Sequence, residues 1–193
     1  MIEIVPAILA KTKDELLDKF TAFPRGAQSA HIDFVESGLI PEAGDGKLRV
    51  PIREAHLMLP HPQEHITALV KAGFQRIVVQ VEALSPEMFA ELVHEWRHAA
   101  DMVPSLKIDT PLSAIDSFAH ELSSVQLMGI AHIGAQGRLF DERVIPRIRA
   151  LHAKYPRLTI AIDGGVNKEN AERLADAGAS RLIVGSAMRE FYG

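Results

Sequence analysis

Short apolar runs alternate with segments of helical periodicity, and this alternation constrains the fold more than any other feature of the sequence. Runs typical of buried β-strands occupy residues 2–9, 30–35, 54–59, 76–82, 105–109, 125–132, 158–163 and 181–185. Apolar residues at helical spacing occupy residues 12–20, 62–72, 86–99, 111–122, 141–154 and 168–177, and a shorter helical segment begins at Ser186. Strands that alternate with helices pair in parallel, so the sequence predicts an α/β protein.

The joints between helix and strand carry a repeated signal. The stretches "RGAQSAHIDF", "KAGFQRIVVQ" and "DAGASRLIVG" each place a glycine near the end of a polar or helical segment, with an apolar run after it. Gly73 and Gly178 directly follow helical segments, where a left-handed C-terminal cap favours glycine. The repeat indicates that the same helix-to-strand unit recurs along the chain.

Eight such units allow the sheet to close, which predicts a (β/α)8 TIM barrel with its site at the C-terminal ends of the strands. An open doubly wound sheet is the alternative. The segment "SGLIPEAGDGKLRVPIR" has too little periodicity for a helix, so we expect the helix after strand 2 to be largely missing. That side of the barrel would meet water unless "LIPEAGDGKLRV" or another subunit covered it, which predicts a homo-oligomer.

Length and composition limit the classes of function. The 193 residues are 47% hydrophobic, which suits one domain spanning residues 1–193. The net charge of -4 and the scattered Lys and Arg residues argue against nucleic acid and membrane as partners, and a small soluble molecule is expected instead. The sequence has no cysteine, so metal ligands must be His, Asp or Glu. The N-terminal segment lacks the features of a signal peptide, which predicts a cytoplasmic protein.

The stretch "AHIDF" places an imidazole and a carboxylate inside an apolar run. In an extended strand His31 and Asp33 point to one face while their neighbours point to the other. His56 and Asp163 lie near the ends of two other predicted strands, so two imidazoles and two carboxylates converge if the barrel forms. This set suits one divalent ion such as Zn, Mn or Fe(II). The alternative is that each side chain is hydrogen-bonded separately.

Six motifs resemble, in order and spacing, those of the ribulose-phosphate 3-epimerase family over nearly the whole chain. They are "PAIL" at Pro6, "HIDFVES" at His31, "HLM" at His56, "HIGAQGR" at His132, "IDGG" at Ile162 and "GSA" at Gly185. The resemblance implies an isomerase with a TIM barrel of the ribulose-phosphate-binding type. It implies that the metal is bound by His31, Asp33, His56 and Asp163. It also implies that Asp33 and Asp163 are the acid and base that invert the carbon beside a ketone through an enediolate.

The substrate that the resemblance implies is a small phosphorylated sugar, with D-ribulose 5-phosphate and D-xylulose 5-phosphate as the first guess. Met58 and Met128 match methionines that wall the enediolate in apolar surface, although a methionine alone is more often core filler. Phosphate binding in such barrels uses backbone N–H groups of the last two loops. The remaining candidates for substrate contacts are Gly134, Gly164, Gly165, Gly185 and Ser186.

Several positions depart from the family's motifs around the substrate. Ala7 stands where the family has a serine, Gln80 replaces a histidine, and Ser37 and Gly38 replace residues that follow the metal strand. The glycine-rich loop is rewritten at residues 132–138. The alternatives for the function are therefore a different small ketose or ketose phosphate as substrate, or a noncatalytic barrel that binds metal and phosphate.

A competing motif lies in the third helical segment. "HEWRH", from His94 to His98, satisfies the H-E-x-x-H pattern of zinc proteases. Its helix would lie on the outer ring of a barrel, and no convincing third ligand follows it. A solvated helix face is the simpler interpretation, and a zinc hydrolase is the remote alternative.

Overall fold

A computed structural model describes residues 2–44 and 48–193, in which eight parallel strands close into a barrel in chain order. The strands are β1 (Glu3–Leu9), β2 (Ser29–Phe34), β3 (Ile52–Leu57), β4 (Arg76–Gln80), β5 (Asp101–Leu106), β6 (Ser124–Met128), β7 (Thr159–Asp163) and β8 (Arg181–Val184). The ring closes where β1 pairs with β8, from Glu3 opposite Arg181 to Pro6 opposite Val184. The predicted TIM barrel is confirmed, and an open doubly wound sheet is excluded.

The α-helices of the described residues pack outside the barrel or follow its last strand. They are α1 (Lys13–Thr21), α2 (Ile66–Lys71), α3 (Pro86–Trp96), α4 (Val144–Lys154), α5 (Lys168–Ala177) and α6 (Met188–Tyr192). The bounds of α5 are those predicted, and a reciprocal capping box explains its sharp start. There the side-chain oxygens of Asn167 and Asn170 accept from each other's backbone N–H at 3.1 and 3.0 Å.

The strands separate two environments. Side chains of one parity, such as Ile32 and Phe34 of β2, belong to a continuous apolar layer between the barrel and its outer elements. Side chains of the other parity point into the barrel, and there the apolar cluster found in the described residues is small, with Val5, Ala7 and Ile183 as its members. The core therefore lies mainly outside the ring of strands, and the ring encloses mostly polar groups.

The helix after β2 is missing in the described residues, as predicted. Two short 3-10 turns, Ser37–Leu39 and Pro41–Ala43, occupy its place. Four apolar residues of this connection are buried, namely Leu39, Ile40, Ala43 and Leu48. The connection thus covers that side of the barrel, although residues 45–47 of the predicted covering segment lie outside the described residues. The homo-oligomer stays a prediction.

The prediction of an α-helix at residues 111–122 is wrong. The segment forms two 3-10 turns, Leu112–Ile115 and Ala119–Glu121. Its apolar residues Ile115, Phe118 and Ala119 belong to the outer apolar layer, where Phe118 stacks on Phe89 of α3 with ring centroids 4.9 Å apart. Tight turns can present the same spacing as an α-helix, and tertiary contacts of this kind override a weak helical preference.

The fifth strand begins at Asp101 rather than at the predicted residue 105. Proline lacks an amide donor and normally marks a strand boundary, so the sequence favours a strand that starts after Pro104. In the structure Pro104 is part of the strand and lies opposite Val79 of β4. The earlier start does not change the face of the strand on which Ser105 lies, and its side chain points into the barrel.

No helix within residues 2–44 and 48–193 has both the length and the apolarity needed to cross a membrane. The cytoplasmic location stays a prediction.

Gly178 at the end of α5 gives a test of the helix-to-strand joint. Its φ is +114°, and an added Cβ would lie 2.7 Å from Cγ of His152. We expect Gly178→Ala to lower the free energy of unfolding by about 2–3 kcal/mol, the sum of backbone strain and overlap. Urea denaturation monitored by circular dichroism measures the change.

Gly26→Ala is the matched control, since Gly26 has a φ of +84° but nothing within 4 Å of an added Cβ. It should lose only the strain contribution, about 1 kcal/mol. Equal losses in the two variants would contradict the packing argument.

Candidate metal centre and substrate cleft

The four predicted metal ligands meet at one end of the barrel. His31 and Asp33 come from β2, His56 from β3 and Asp163 from the end of β7, and all four point inward. One ligand atom from each lies within 4.8 Å of every other. Among the described residues this is the group of His, Asp and Glu side chains able to hold a metal ion. Strand register explains the meeting, because Asp33 pairs directly with His56 across β2 and β3.

The donor atoms face a common point. Nδ1 of His56 lies 3.0 Å from Oδ1 of Asp33 and 3.3 Å from Oδ2 of Asp163. Nε2 of His31 lies 3.3 Å from the same Asp33 oxygen and 3.9 Å from Oδ2 of Asp163. This Nε2 is buried and makes no hydrogen bond. An unsatisfied buried nitrogen among two carboxylates and a second imidazole fits a divalent cation, which prefers this mixture of nitrogen and oxygen donors.

The outer nitrogens of both imidazoles are also fixed. Nδ1 of His31 lies 2.7 Å from Oε1 of Glu54, a side chain with 0% exposure. The carboxamide oxygen of Gln80, in the orientation that satisfies its neighbours, accepts from Nε2–H of His56 at 2.8 Å. Such partners determine which nitrogen of each ring faces the centre. Gln80, noted in the sequence as a departure, therefore supports a proposed ligand.

Burial and charge compete at the two imidazoles. Burial would lower the pKa of His31, but the negative charge of Asp33, 3.3 Å from Nε2, and the hydrogen bond with Glu54 outweigh burial and raise that pKa to about 10. Burial likewise opposes the protonation of His56, and Asp163 and Asp33 outweigh it and raise its pKa. Burial would raise the pKa of Asp33, whereas the two imidazoles hold that pKa well below its usual range. When no metal ion is bound, protons on the two imidazoles balance the negative charges of Asp33 and Asp163.

A cleft of about 500 Å³, including its open mouth, lies over the metal centre. Every residue predicted to contact substrate lines it: Met58, Met128, Gly134, Gly164, Gly165, Gly185 and Ser186. Asp33 and Asp163 form part of the same wall, as does Ala7. Ser37 and Gly38 are exposed and lie outside this lining. The cleft therefore unites the proposed catalytic and substrate residues, and their roles stay proposals.

Two glycines allow the loop after β7 to pack closely against the loop after β6. Gly164 has a φ of +100°, and an added Cβ would lie 2.7 Å from Cγ1 of Ile130. Gly165 has a φ of +69°, and an added Cβ would lie 2.7 Å from Cα of Phe140. Both glycines are therefore needed for packing, whatever they bind. The structure shows no hydrogen bond from the N–H of Gly165 or Ser186 to another described residue, so both N–H groups are available to a ligand.

Three polar residues at the site were missed by the sequence analysis. Glu54 precedes His56 by two residues in "EAHLM", so the alternation used for His31 and Asp33 could have found it. Gln126 of β6 donates to Oδ2 of Asp163 at 3.2 Å, and no local pattern marks it. Arg138, in the rewritten loop, is the one Lys or Arg among the residues that line the cleft.

The H-E-x-x-H pattern forms no metal site in the described chain. Helix α3 ends at Trp96, so His98 lies beyond it and not one helical turn from His94. Both histidines are exposed, and the guanidinium of Arg97 contacts both rings. A solvated surface explains the motif.

Comparisons with known proteins place the chain among its relatives. A family model described as "Ribulose-phosphate 3 epimerase family" matches residues 3–189. Ribulose-phosphate 3-epimerase of Bacillus subtilis (strain 168) is 31% identical over 97% of this chain and 92% of its own. The protein of that name from Aquifex aeolicus (strain VF5) is 30% identical over 96% of this chain and 88% of its own.

Solved structures show the fold. Orotidine 5'-monophosphate decarboxylase from Sulfolobus solfataricus matches with a TM-score of 0.64 over 98% of this chain and 90% of that chain, at 11% identity. At this identity the match establishes the shared barrel alone.

Proton release on cation binding tests the metal centre. At about pH 8, below the His31 pKa of about 10, the imidazole is charged, whereas a metal ligand must be neutral. A divalent ion added to metal-free protein should therefore release roughly one proton or more per ion bound, and the release should decline as the pH rises past that pKa. Calorimetric titration in two buffers of different ionisation enthalpy measures this number.

His120→Gln, which removes an exposed histidine, is the control and should release the same number of protons. A binding heat that does not depend on the buffer would contradict the assignment.

Proposed function

The chain belongs to the ribulose-phosphate 3 epimerase family, and we propose that it inverts the carbon beside the ketone of a ketose phosphate, with D-ribulose 5-phosphate and D-xylulose 5-phosphate as the substrate pair. One observation carries the proposal. The carboxylates of Asp33 and Asp163 converge on one centre and both line the cleft above it. Epimerisation needs two such groups, because a proton leaves one face of the carbon and another arrives on the opposite face.

Each carboxylate has one oxygen committed to the centre and one free. Oδ1 of Asp33 and Oδ2 of Asp163 contact His56, while no described residue is hydrogen-bonded to the second oxygen of either. In one direction, one aspartate takes the proton from the carbon and the bonding electrons move onto the ketone oxygen, giving an enediolate. The other aspartate, protonated at the start, returns a proton to the opposite face, so the two exchange protonation states in each turnover.

His31, Asp33, His56 and Asp163 would hold the divalent ion. When bound, the ion supplies positive charge beside the substrate's oxygens and so favours the enediolate over the ketone. Met58 and Met128 line the cleft and give it apolar surface that limits access of water to the reacting carbon. The hydroxyl of Ser105 donates to Sδ of Met128 at 3.3 Å and so restrains that thioether.

The rim of the cleft is suited to an anionic group. The N–H groups of Gly165 and Ser186 have no acceptor among the described residues, as expected for donors to a phosphate. Arg138 has no ion-pair partner in the described chain and brings a positive charge to the lining. The rewritten loop therefore replaces part of a glycine cradle with a cationic side chain, which favours a phosphorylated substrate over a neutral ketose.

Deuterium incorporation tests the proton transfer. In D2O, D-ribulose 5-phosphate incubated with the metal-loaded protein should gain deuterium at the carbon beside the ketone. Asp33→Asn and Asp163→Asn should each slow this exchange by about 10²–10⁴-fold, because each removes one general acid or base and also one ligand of the ion that favours the enediolate. Mass spectrometry of the recovered sugar measures the rate, and the metal content of each variant is determined in parallel.

Asp109→Asn, at an exposed carboxylate outside the cleft, is the control and should exchange at the normal rate. An active double variant of Asp33 and Asp163 would refute the mechanism. Absence of exchange with every ketose phosphate and every cation tried would favour the noncatalytic barrel, and exchange confined to another ketose would change the substrate.

The role of Arg138 gives a separate test of the phosphate. Arg138→Met removes the charge while keeping side-chain bulk, and we expect KM for the ketose phosphate to rise about fivefold with kcat nearly unchanged. Arg25→Met, at an exposed arginine outside the cleft lining, should leave both constants unchanged. An equal rise in KM for an unphosphorylated ketose would show that Arg138 does not recognise the phosphate.

A further inference from the structure

A network of charged side chains fills the barrel beneath the metal centre. Glu54 is 0% exposed and Arg181 is 5% exposed, and both point into the barrel from β3 and β8. Arg76 of β4 reaches the same region with a side chain that is 19% exposed. TIM barrels usually fill this space with apolar side chains, so charges here call for a reason beyond packing.

Glu54 is held on both of its oxygens. Oε1 lies 2.7 Å from Nδ1 of His31. Oε2 accepts from Nη1 of Arg76 at 3.0 Å and from Nη2 of Arg181 at 2.8 Å. Because two guanidinium groups on different strands bind one oxygen, the carboxylate cannot turn away from the imidazole without losing both.

The two arginines are in turn anchored at the far side of the network. Nε of Arg181 donates to Oε2 of Glu3 at 2.8 Å, and Nε of Arg76 donates to Oδ2 of Asp101 at 3.3 Å. The charged residues of the network thus come from five strands, β1, β3, β4, β5 and β8, and the imidazole that they contact is that of His31 on β2.

Stability alone does not account for this arrangement. Burying ions carries a large desolvation penalty, and an apolar floor of similar volume is often as stable or more stable. The network also meets the centre at the one imidazole whose other nitrogen, Nε2, is buried without a partner. An anchored carboxylate behind a ring, with an unpartnered nitrogen in front, is the arrangement that orients a metal-binding histidine.

We propose that Glu54 is a positioning residue, which Arg76 and Arg181 hold in place so that His31 keeps its proton on Nδ1 and presents Nε2 to the divalent ion. The inference rests on the metal-binding part of the proposed function. It is tested by cation affinity without sugar, so its failure and the failure of the epimerase proposal are distinguishable.

Glu54→Gln is the sharpest test, because the two arginines donate and will select the amide oxygen. The amide NH2 then faces Nδ1 of His31, which must accept, and the ring proton moves to Nε2, where it blocks the cation. We expect the affinity for Zn2+ to fall by about 10–100-fold. Competition with a chelating indicator dye measures the affinity, and 15N NMR of the zinc-loaded protein reports the tautomer of the ring.

Two further variants separate positioning from stability. Glu54→Asp keeps the carboxylate and should recover most of the lost affinity. Asp101→Asn disturbs the network two contacts away from Glu54, at the partner of Arg76. It should lower the melting temperature while changing zinc affinity by less than about twofold, because Asp101 contacts neither Glu54 nor His31.

A folded Glu54→Gln protein that binds zinc as tightly as the parent, with the proton still on Nδ1, would overturn the proposal. If that variant does not fold, Arg76→Gln replaces it, because this side chain is partly exposed and its removal is tolerated more easily. Zinc affinity should then fall a few-fold, and an unchanged affinity would overturn the proposal equally.

Discussion

The sharing of charge among inward-pointing side chains is the constraint on which the rest of this barrel depends. Two imidazoles, two aspartates and Glu54 lie close together where water has little access, and none of them could be buried alone. Each is tolerated because its neighbour supplies the opposite charge or the missing hydrogen bond. The centre therefore acts as one electrostatic unit, and a change at one member alters the protonation and orientation of the others.

A charged interior is compatible with a stable fold because the apolar core lies outside the ring of strands. The buried leucine, isoleucine and phenylalanine side chains form a layer between the strands and the outer elements. Where a helix is absent, the residues of the connection after β2 complete that layer. The outer layer supplies the burial that stabilises the fold, so the inward face is free to carry chemistry.

The parts of the structure that depend on patterns of neighbouring residues could be predicted from the sequence. Alternation of strand and helix signals predicted the barrel, and the two-residue spacing of His31 and Asp33 placed them correctly on one face. The errors occurred where local pattern and tertiary contact disagree. The segment at residues 111–122 has helical spacing but is held in tight turns by Phe118 and its neighbours.

The four metal-ligand candidates were predicted from polar residues at strand ends and the cleft residues from motifs that the family shares, whereas Gln126 and Arg138 could not be found in either way. Gln126 matters because Asp163, 37 positions later, accepts its hydrogen bond. Arg138 matters because the rewritten loop lines the cleft. Such contacts join residues distant in the chain, and only the closed ring of strands brings them together.

The polar filling of the barrel also determines how the strands can align during folding. If β2 slid by one residue against β1 and β3, His31 and Asp33 would enter the apolar outer layer and Phe34 would enter the charged interior. Most barrels have apolar residues on both faces of their strands, and such a slip costs them less. Here a one-residue slip is unfavourable on both faces of the strand, since charged groups would enter the apolar layer and apolar groups the charged interior. The side chains that serve the chemistry therefore also favour one register of the eight strands over the registers shifted by one residue.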